Sequence, residues 1–70
     1  MKSYSSKEII KILLEDGWYQ YDKATGSHHS FKHPYKKERV VVPHPKKDLT
    51  IGTIKSIEKQ AQIKLKQGSV

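Results

Sequence analysis

The amino-acid sequence predicts an α+β fold, a two-layer α-β-β-β-α sandwich in which both helices cover one face of a three-stranded antiparallel sheet. Three observations predict it. Apolar residues recur at helical spacing near each end of the chain, the period changes to two between Trp18 and His44, and 70 residues suffice for one thin layer of helix on one thin sheet. Residues 1–70 are read as a single domain, without internal repeats, low-complexity tracts or a linker.

The segment SSKEIIKILLEDG opens with Ser5 and carries Glu8 three residues later. That is the spacing of a capping box, in which each side chain satisfies an unpaired amide of the first turn. Ile9, Ile10, Leu13 and Leu14 form an apolar stripe, and Gly17 supplies a left-handed stop, so a helix is predicted from about Ser6 to Asp16. WYQYD then alternates aromatic and polar residues as a strand does, and KATG is a loop ending at Gly26. SHHSFKH is the second strand, closed by Pro34, and RVVVPH is a β-branched third strand ended by Pro43 and Pro45. Short connections make the three strands a meander. Thr50 caps a second helix in TIGTIKSIEKQAQIK, with Ile54, Ile57 and Ala61 on its apolar stripe and Lys55, Lys59 and Lys64 off it. Each helix has one apolar face, so both must lie on the same side of the sheet, leaving the other sheet face to solvent.

Charge narrows the partner. Fourteen Lys and Arg against seven Asp and Glu give a net charge of +7, which favours a polyanion, nucleic acid before anionic membrane. No apolar run approaches the roughly 20 residues of a membrane-spanning helix. Lys2 is followed by Ser3 and Tyr4, not by a hydrophobic signal core, and the expected location is the cytoplasm. Zero cysteines leave neither a disulfide frame nor a thiolate metal site.

Four histidines are the candidate chemistry. Phe31 is the one large apolar residue of the second strand and should face the helices, so His29 and His33 point the same way, while His28, Ser30 and Lys32 face solvent. A β-bulge near Gly26 would break that parity. Adjacent His28 and His29 diverge to opposite faces, and His29 to His33 spans about 13 Å at about 3.3 Å per residue, too far for one ion with ligand bonds near 2 Å. The cluster is therefore not read as a metal site, and no cofactor is expected. His33 and His44 each precede a proline and read as polar turns, and His29 reads as a hydrogen-bonded residue at the core edge. An imidazole that titrates near neutrality on an open, cationic sheet face is poorly explained by packing, which singles out His28.

The remaining chemistry is sparse. No phosphate-cradling glycine loop and no carboxylate pair near the histidines is present. RNA cleavage suits so small a site, because the substrate carries its own nucleophile, the 2′-hydroxyl, and needs a base to deprotonate it. Lysines would stabilise the charge gathering on the phosphorane, and Lys32, Lys36, Lys37, Lys46 and Lys47 are the candidates for holding phosphates.

The order DGW, GSHHSF, KHP, VVVPHP, KKDL, IGT and IKSIEKQA, from about Ser6 to Ala61, closely resembles the HicA family of messenger-RNA interferase toxins, whose members pair with HicB antitoxins. The resemblance implies a fold like that of double-stranded-RNA-binding domains, a metal-independent endoribonuclease of a toxin–antitoxin system, messenger RNA as substrate and a HicB-like antitoxin as partner. It maps the family's essential histidine to His28, the histidine of the Gly26-Ser27-His28 triplet, and places Gly26 and Ser27 against the RNA. The family often has proline where this chain has Ile51; proline at a first helical position preorganises φ, so the difference bears on stability more than on chemistry.

Two other function classes fit the same residues. One is a non-catalytic RNA-binding module, although TIGTIKS lacks the lysine cluster such domains carry at the start of that helix. The other is an interaction protein whose basic face holds an acidic partner.

Overall fold

The structure, a computed structural model, describes residues 4–21 and 28–65. The order of elements is α1 (Ser6–Glu15), β1 (Tyr19–Gln20), β2 (His28–Lys32), β3 (Val40–Pro43) and α2 (Ile51–Ala61), and the strands pair antiparallel in the order β1-β2-β3. Phe31 pairs with Val40 and His29 with Val42, so Phe31, Val40 and Val42 share a sheet face. All three are buried with Ile9 and Leu13 of α1 and Ile54, Ile57 and Ala61 of α2. Both helices thus lie on that face, and the two-layer α-β-β-β-α sandwich is the fold observed.

The start of α1 follows from two side chains. Ser5 Oγ accepts from the Glu8 amide at 3.2 Å, and Glu8 Oε1 accepts from the Ser5 amide at 3.0 Å, both halves of the capping box. The end follows from Gly17. Its φ of +101° lets its N–H reach Leu14 O at 3.1 Å and the Trp18 N–H reach Leu13 O at 2.9 Å, the paired bonds of a Schellman stop. A Cβ at this glycine would also meet His33 Nε2 at 3.0 Å. The buried stripe is narrower than expected. Ile9 and Leu13 are fully buried, whereas Leu14 is 53 % exposed, because a position one residue on is rotated about 100° away from a sheet that covers one narrow face.

Three core residues, Tyr4, Leu49 and Leu65, come from outside the periodic segments. Tyr4 and Leu49 are buried, and the Leu49 amide donates to Tyr4 O at 2.8 Å while the Ser6 amide donates to Lys46 O at 2.9 Å. The approach to α1 is therefore laced to the connection after β3. Thr50 caps α2 as expected, accepting from the Thr53 amide at 3.2 Å, and Ile51 takes the first helical position. The helix stops at Ala61, earlier than the sequence pattern. Gln62 adopts a left-handed conformation with φ 56°, and the chain turns back so that Leu65 is buried and its amide donates to Glu58 Oε2 at 2.6 Å.

Lys36 ties the helix ends together. Its ammonium donates to Asp16 Oδ2 at 2.6 Å, just past α1, and to the Ala61 carbonyl at 2.8 Å, the last residue of α2. The Lys36 hydrogen bond holds the Asp16 carboxyl below its ordinary value against desolvation, the next largest effect, and the Lys36 charge and the Trp18 indole N–H add to the lowering. A depressed folded pKa contributes stability that is present above the unfolded value of 3.8 and is lost as pH falls through the lower folded value. The melting temperature is accordingly expected to drop in that acid range, and Asp16→Asn should lower it at pH 7 while flattening the acid limb. The effect is modest, since the carboxylate is 37 % exposed. Identical acid limbs in the two proteins, followed by circular dichroism, would remove the pair from the account.

Candidate active site

Strand register sets where each histidine goes. His28 opens β2 opposite Pro43 and is exposed on the face away from the helices. His29, opposite buried Val42, turns to the helix side and is half-buried. Its Nδ1 lies 3.1 Å from Gln20 Nε2, and its ring meets the His44 ring edge-on at 4.8 Å between centroids. With the amide donating, Nδ1 is the acceptor and a neutral His29 carries its proton on Nε2, which leaves no second nitrogen to take a proton.

The other two histidines are held by the fold. His33 Nδ1 accepts from the Tyr35 amide at 3.0 Å, so the neutral ring carries its proton on Nε2, which donates to the Asp16 carbonyl at 2.8 Å. The same ring stands edge-on to Trp18 at 5.2 Å. His44 Nδ1 is 2.6 Å from Ser6 Oγ, a buried hydroxyl that also accepts from the Lys46 amide at 2.9 Å. The meeting of His29 with His44 was not legible from strand parity, since it depends on the turn after β3. Among the described residues no three His, Cys, Asp or Glu side chains are grouped to hold an ion.

The candidate lysines separate into three groups. Pairing of His28 with Pro43 puts the turn that follows β3 at the same end of the sheet as His28, and Lys46 and Lys47 on that turn are exposed. They border a shallow groove of about 500 Å³ that also takes in Ser5, Lys7 and His44, and Lys7 is a cation the sequence pattern did not single out. At the start of α1 the Ser6 amide is occupied by Lys46 O and the Glu8 amide by Ser5 Oγ. Lys32 and Lys37 lie toward the other end of β2. Lys36 is a departure from the expectation: a phosphate would have to displace both Asp16 and the Ala61 carbonyl from its ammonium, and its geometry is that of a structural tie. Gly26 and Ser27, the other two expected site residues, lie outside the described residues.

Strand alternation, applied to β2 alone, missed residues on its neighbours. Tyr19 pairs with Lys32, and the Tyr21 amide donates to Ser30 O at 3.2 Å, so both tyrosines belong to the open face with His28. The Lys32 ammonium is 4.7 Å and the Arg39 guanidinium carbon 5.7 Å from the centre of the Tyr21 ring. The signal was in WYQYD, where Gln20 shares the parity of Trp18, a core residue, and Tyr19 and Tyr21 share the other.

With an exposed imidazole, a cationic turn at its end of the sheet and a tyrosine close to two cations on the same face, the arrangement can accept a proton beside a bound polyanion. No helix among the described residues is long and apolar enough to cross a membrane. A family model described as the HicA toxin of bacterial toxin–antitoxin systems matches residues 6–63. A solved structure described as the HicA3 and HicB3 toxin-antitoxin complex contains a chain similar to this one at 32 % identity, with a TM-score of 0.70, covering 90 % of this chain and 100 % of that one. No curated protein sequence matches.

Proposed function

The chain belongs to the HicA family of toxins of bacterial toxin–antitoxin systems, and from that premise we propose that it is a metal-independent endoribonuclease of messenger RNA with His28 as general base. The observation that carries the reading is the exposure of His28 on the open sheet face, at the end of the sheet where β3 runs on into the turn that holds exposed Lys46 and Lys47.

In the proposed reaction a neutral His28 imidazole takes the proton of a ribose 2′-hydroxyl. The 2′-oxygen attacks the adjacent phosphorus, the bond to the 5′-oxygen breaks, and the imidazolium or water returns a proton to that leaving oxygen. The products are a 2′,3′-cyclic phosphate and a 5′-hydroxyl. Lys46 and Lys47 offset the charge that builds on the phosphorane, an interaction stronger in the transition state than in the ground state. Gly26 and Ser27 carry the backbone into His28 and belong to the same proposed substrate contact, with Lys32 and Lys37 gripping phosphates farther along. A HicB-like antitoxin is the proposed protein partner, by likeness to the HicA3 and HicB3 complex, and the cytoplasm, where messenger RNA is met, is the proposed location.

Incubation of the pure protein with long single-stranded RNA in excess EDTA tests the activity. Fragments are expected, because a base and cations complete the mechanism without an ion. A salt-sensitive gel shift without fragments would leave a non-catalytic RNA binder, and activity that returns only with added zinc or magnesium would replace the proposed chemistry.

Phosphate binding has a separate signature. RNA affinity should fall with salt at a log–log slope of about −0.7 per phosphate neutralised on a single strand. The double variant Lys46→Ala, Lys47→Ala should lower both affinity and slope, and an unchanged slope would take the turn off the binding surface.

A further inference from the structure

The face of the sheet turned away from the helices carries more than a base. Going across the strands it presents Tyr19 from the first with Tyr21 immediately after it, His28, Ser30 and Lys32 from the second, and Val41 from the third, with Arg39 immediately before β3. Tyr19 is 49 %, Tyr21 39 % and Val41 44 % exposed, a concentration of apolar surface that packing does not require. Tyr21 is flanked by Lys32 and Arg39 at cation–π distances, and neither β1, β2 nor β3 contains a carboxylate. Stacking surface bordered by cations, on strands that carry no carboxylate, complements one kind of partner, a flexible polyanion with unpaired bases.

We propose that this open sheet face is a platform for single-stranded RNA, with Tyr21 as the stacking anchor for an unpaired base and Lys32 and Arg39 holding the phosphates beside it. The proposal rests on the reading of the chain as an RNA nuclease and deepens it by naming the form of RNA. Duplex RNA offers no exposed base faces to a tyrosine and is held through its backbone and minor groove. The first turn of α2, Ile51, Gly52 and Thr53, carries no cation that would serve such a mode. Lys32 lies about 13 Å from His28 along β2, so the platform engages nucleotides neighbouring the scissile bond and leaves the bond itself to the histidine.

The test uses the full chain carrying His28→Ala, so that RNA is bound and not cut, and two labelled probes: an unstructured RNA 12-mer and a fully paired duplex of the same length. The single strand should bind about tenfold or more tightly than the duplex. Adding Tyr21→Ala should weaken single-strand binding by about tenfold, the scale of one base–aromatic stack, while Tyr21→Phe keeps it. Lys32→Gln with Arg39→Gln should make the salt slope shallower by about 0.7 for each phosphate no longer neutralised. All variants are compared by thermal melting, so a folding defect is read separately. Equal binding of both probes, or Tyr21→Ala binding the single strand as tightly as its parent, overturns the platform. So does protection of Tyr21 from chemical modification by an acidic protein but not by RNA, since the face would then be a protein interface. Cleavage by the wild-type chain is assayed alongside. Cutting without any Tyr21 effect defeats the platform alone, and Tyr21-dependent binding without cutting defeats the nuclease reading alone.

Discussion

His28→Ala is expected to lose RNA cleavage by about 10²–10⁴-fold, the usual worth of a positioned general base, and to fall below detection on a gel. Its folding should change by no more than about 0.5 kcal/mol, because the side chain is exposed on the open face. His29→Ala sets the opposite profile. It breaks the hydrogen bond with Gln20 and the edge-on packing against His44, a cost on the order of 1–3 kcal/mol, or several degrees of melting temperature in so small a domain. Cleavage should persist while it remains folded. Both are assayed for cleavage and melting on the same preparations. A His28→Ala protein that cuts at the wild-type rate beside a folded but inactive His29→Ala protein would move the base to the helix side of the sheet.

The largest effect on stability is expected at Phe31. It is 1 % exposed, faces both helices from the central strand and pairs with Val40, which is also fully buried. Truncating such a ring to alanine costs about 3–5 kcal/mol through forfeited transfer energy and the cavity left behind. A domain of this length has a total stability of only about 4–10 kcal/mol. Phe31→Ala should therefore be largely unfolded near 37 °C or melt more than about 15 °C lower, with activity lost as a consequence. A shift of less than about 4 °C would mean that the parity that aims His28 outward is not anchored where the register puts it.

That parity was legible because local chemistry carried it. Ser5 and Glu8 fix where α1 begins and Gly17 where it ends, since capping and left-handed φ depend on residues a few positions apart. Phe31 against β-branched Val40 and Val42 fixes the inner face of the sheet in the same way. What escaped depends on distant partners. Tyr4 and Leu49 enter the core through a backbone pairing that no periodicity announces, and α2 stops at Gln62, where no glycine or proline marks a break. Lys36 read as a phosphate-holding candidate, and its tie emerges only where the ends of two helices meet around it. For the site, the sequence pointed to His28 through a single strand's alternation. Tyr21 with Lys32 and Arg39 emerges only when three strands are laid in register.

The central claim is that a single histidine makes the RNA's own 2′-hydroxyl the nucleophile, without a metal ion. The chemical ends of the fragments report it most directly. Wild-type protein in excess EDTA should cut long single-stranded RNA into pieces bearing 5′-hydroxyl and 2′,3′-cyclic phosphate ends and should leave DNA of the same sequence intact. Fragments with 5′-phosphate ends, cleavage of the DNA, or no fragments at all would contradict it.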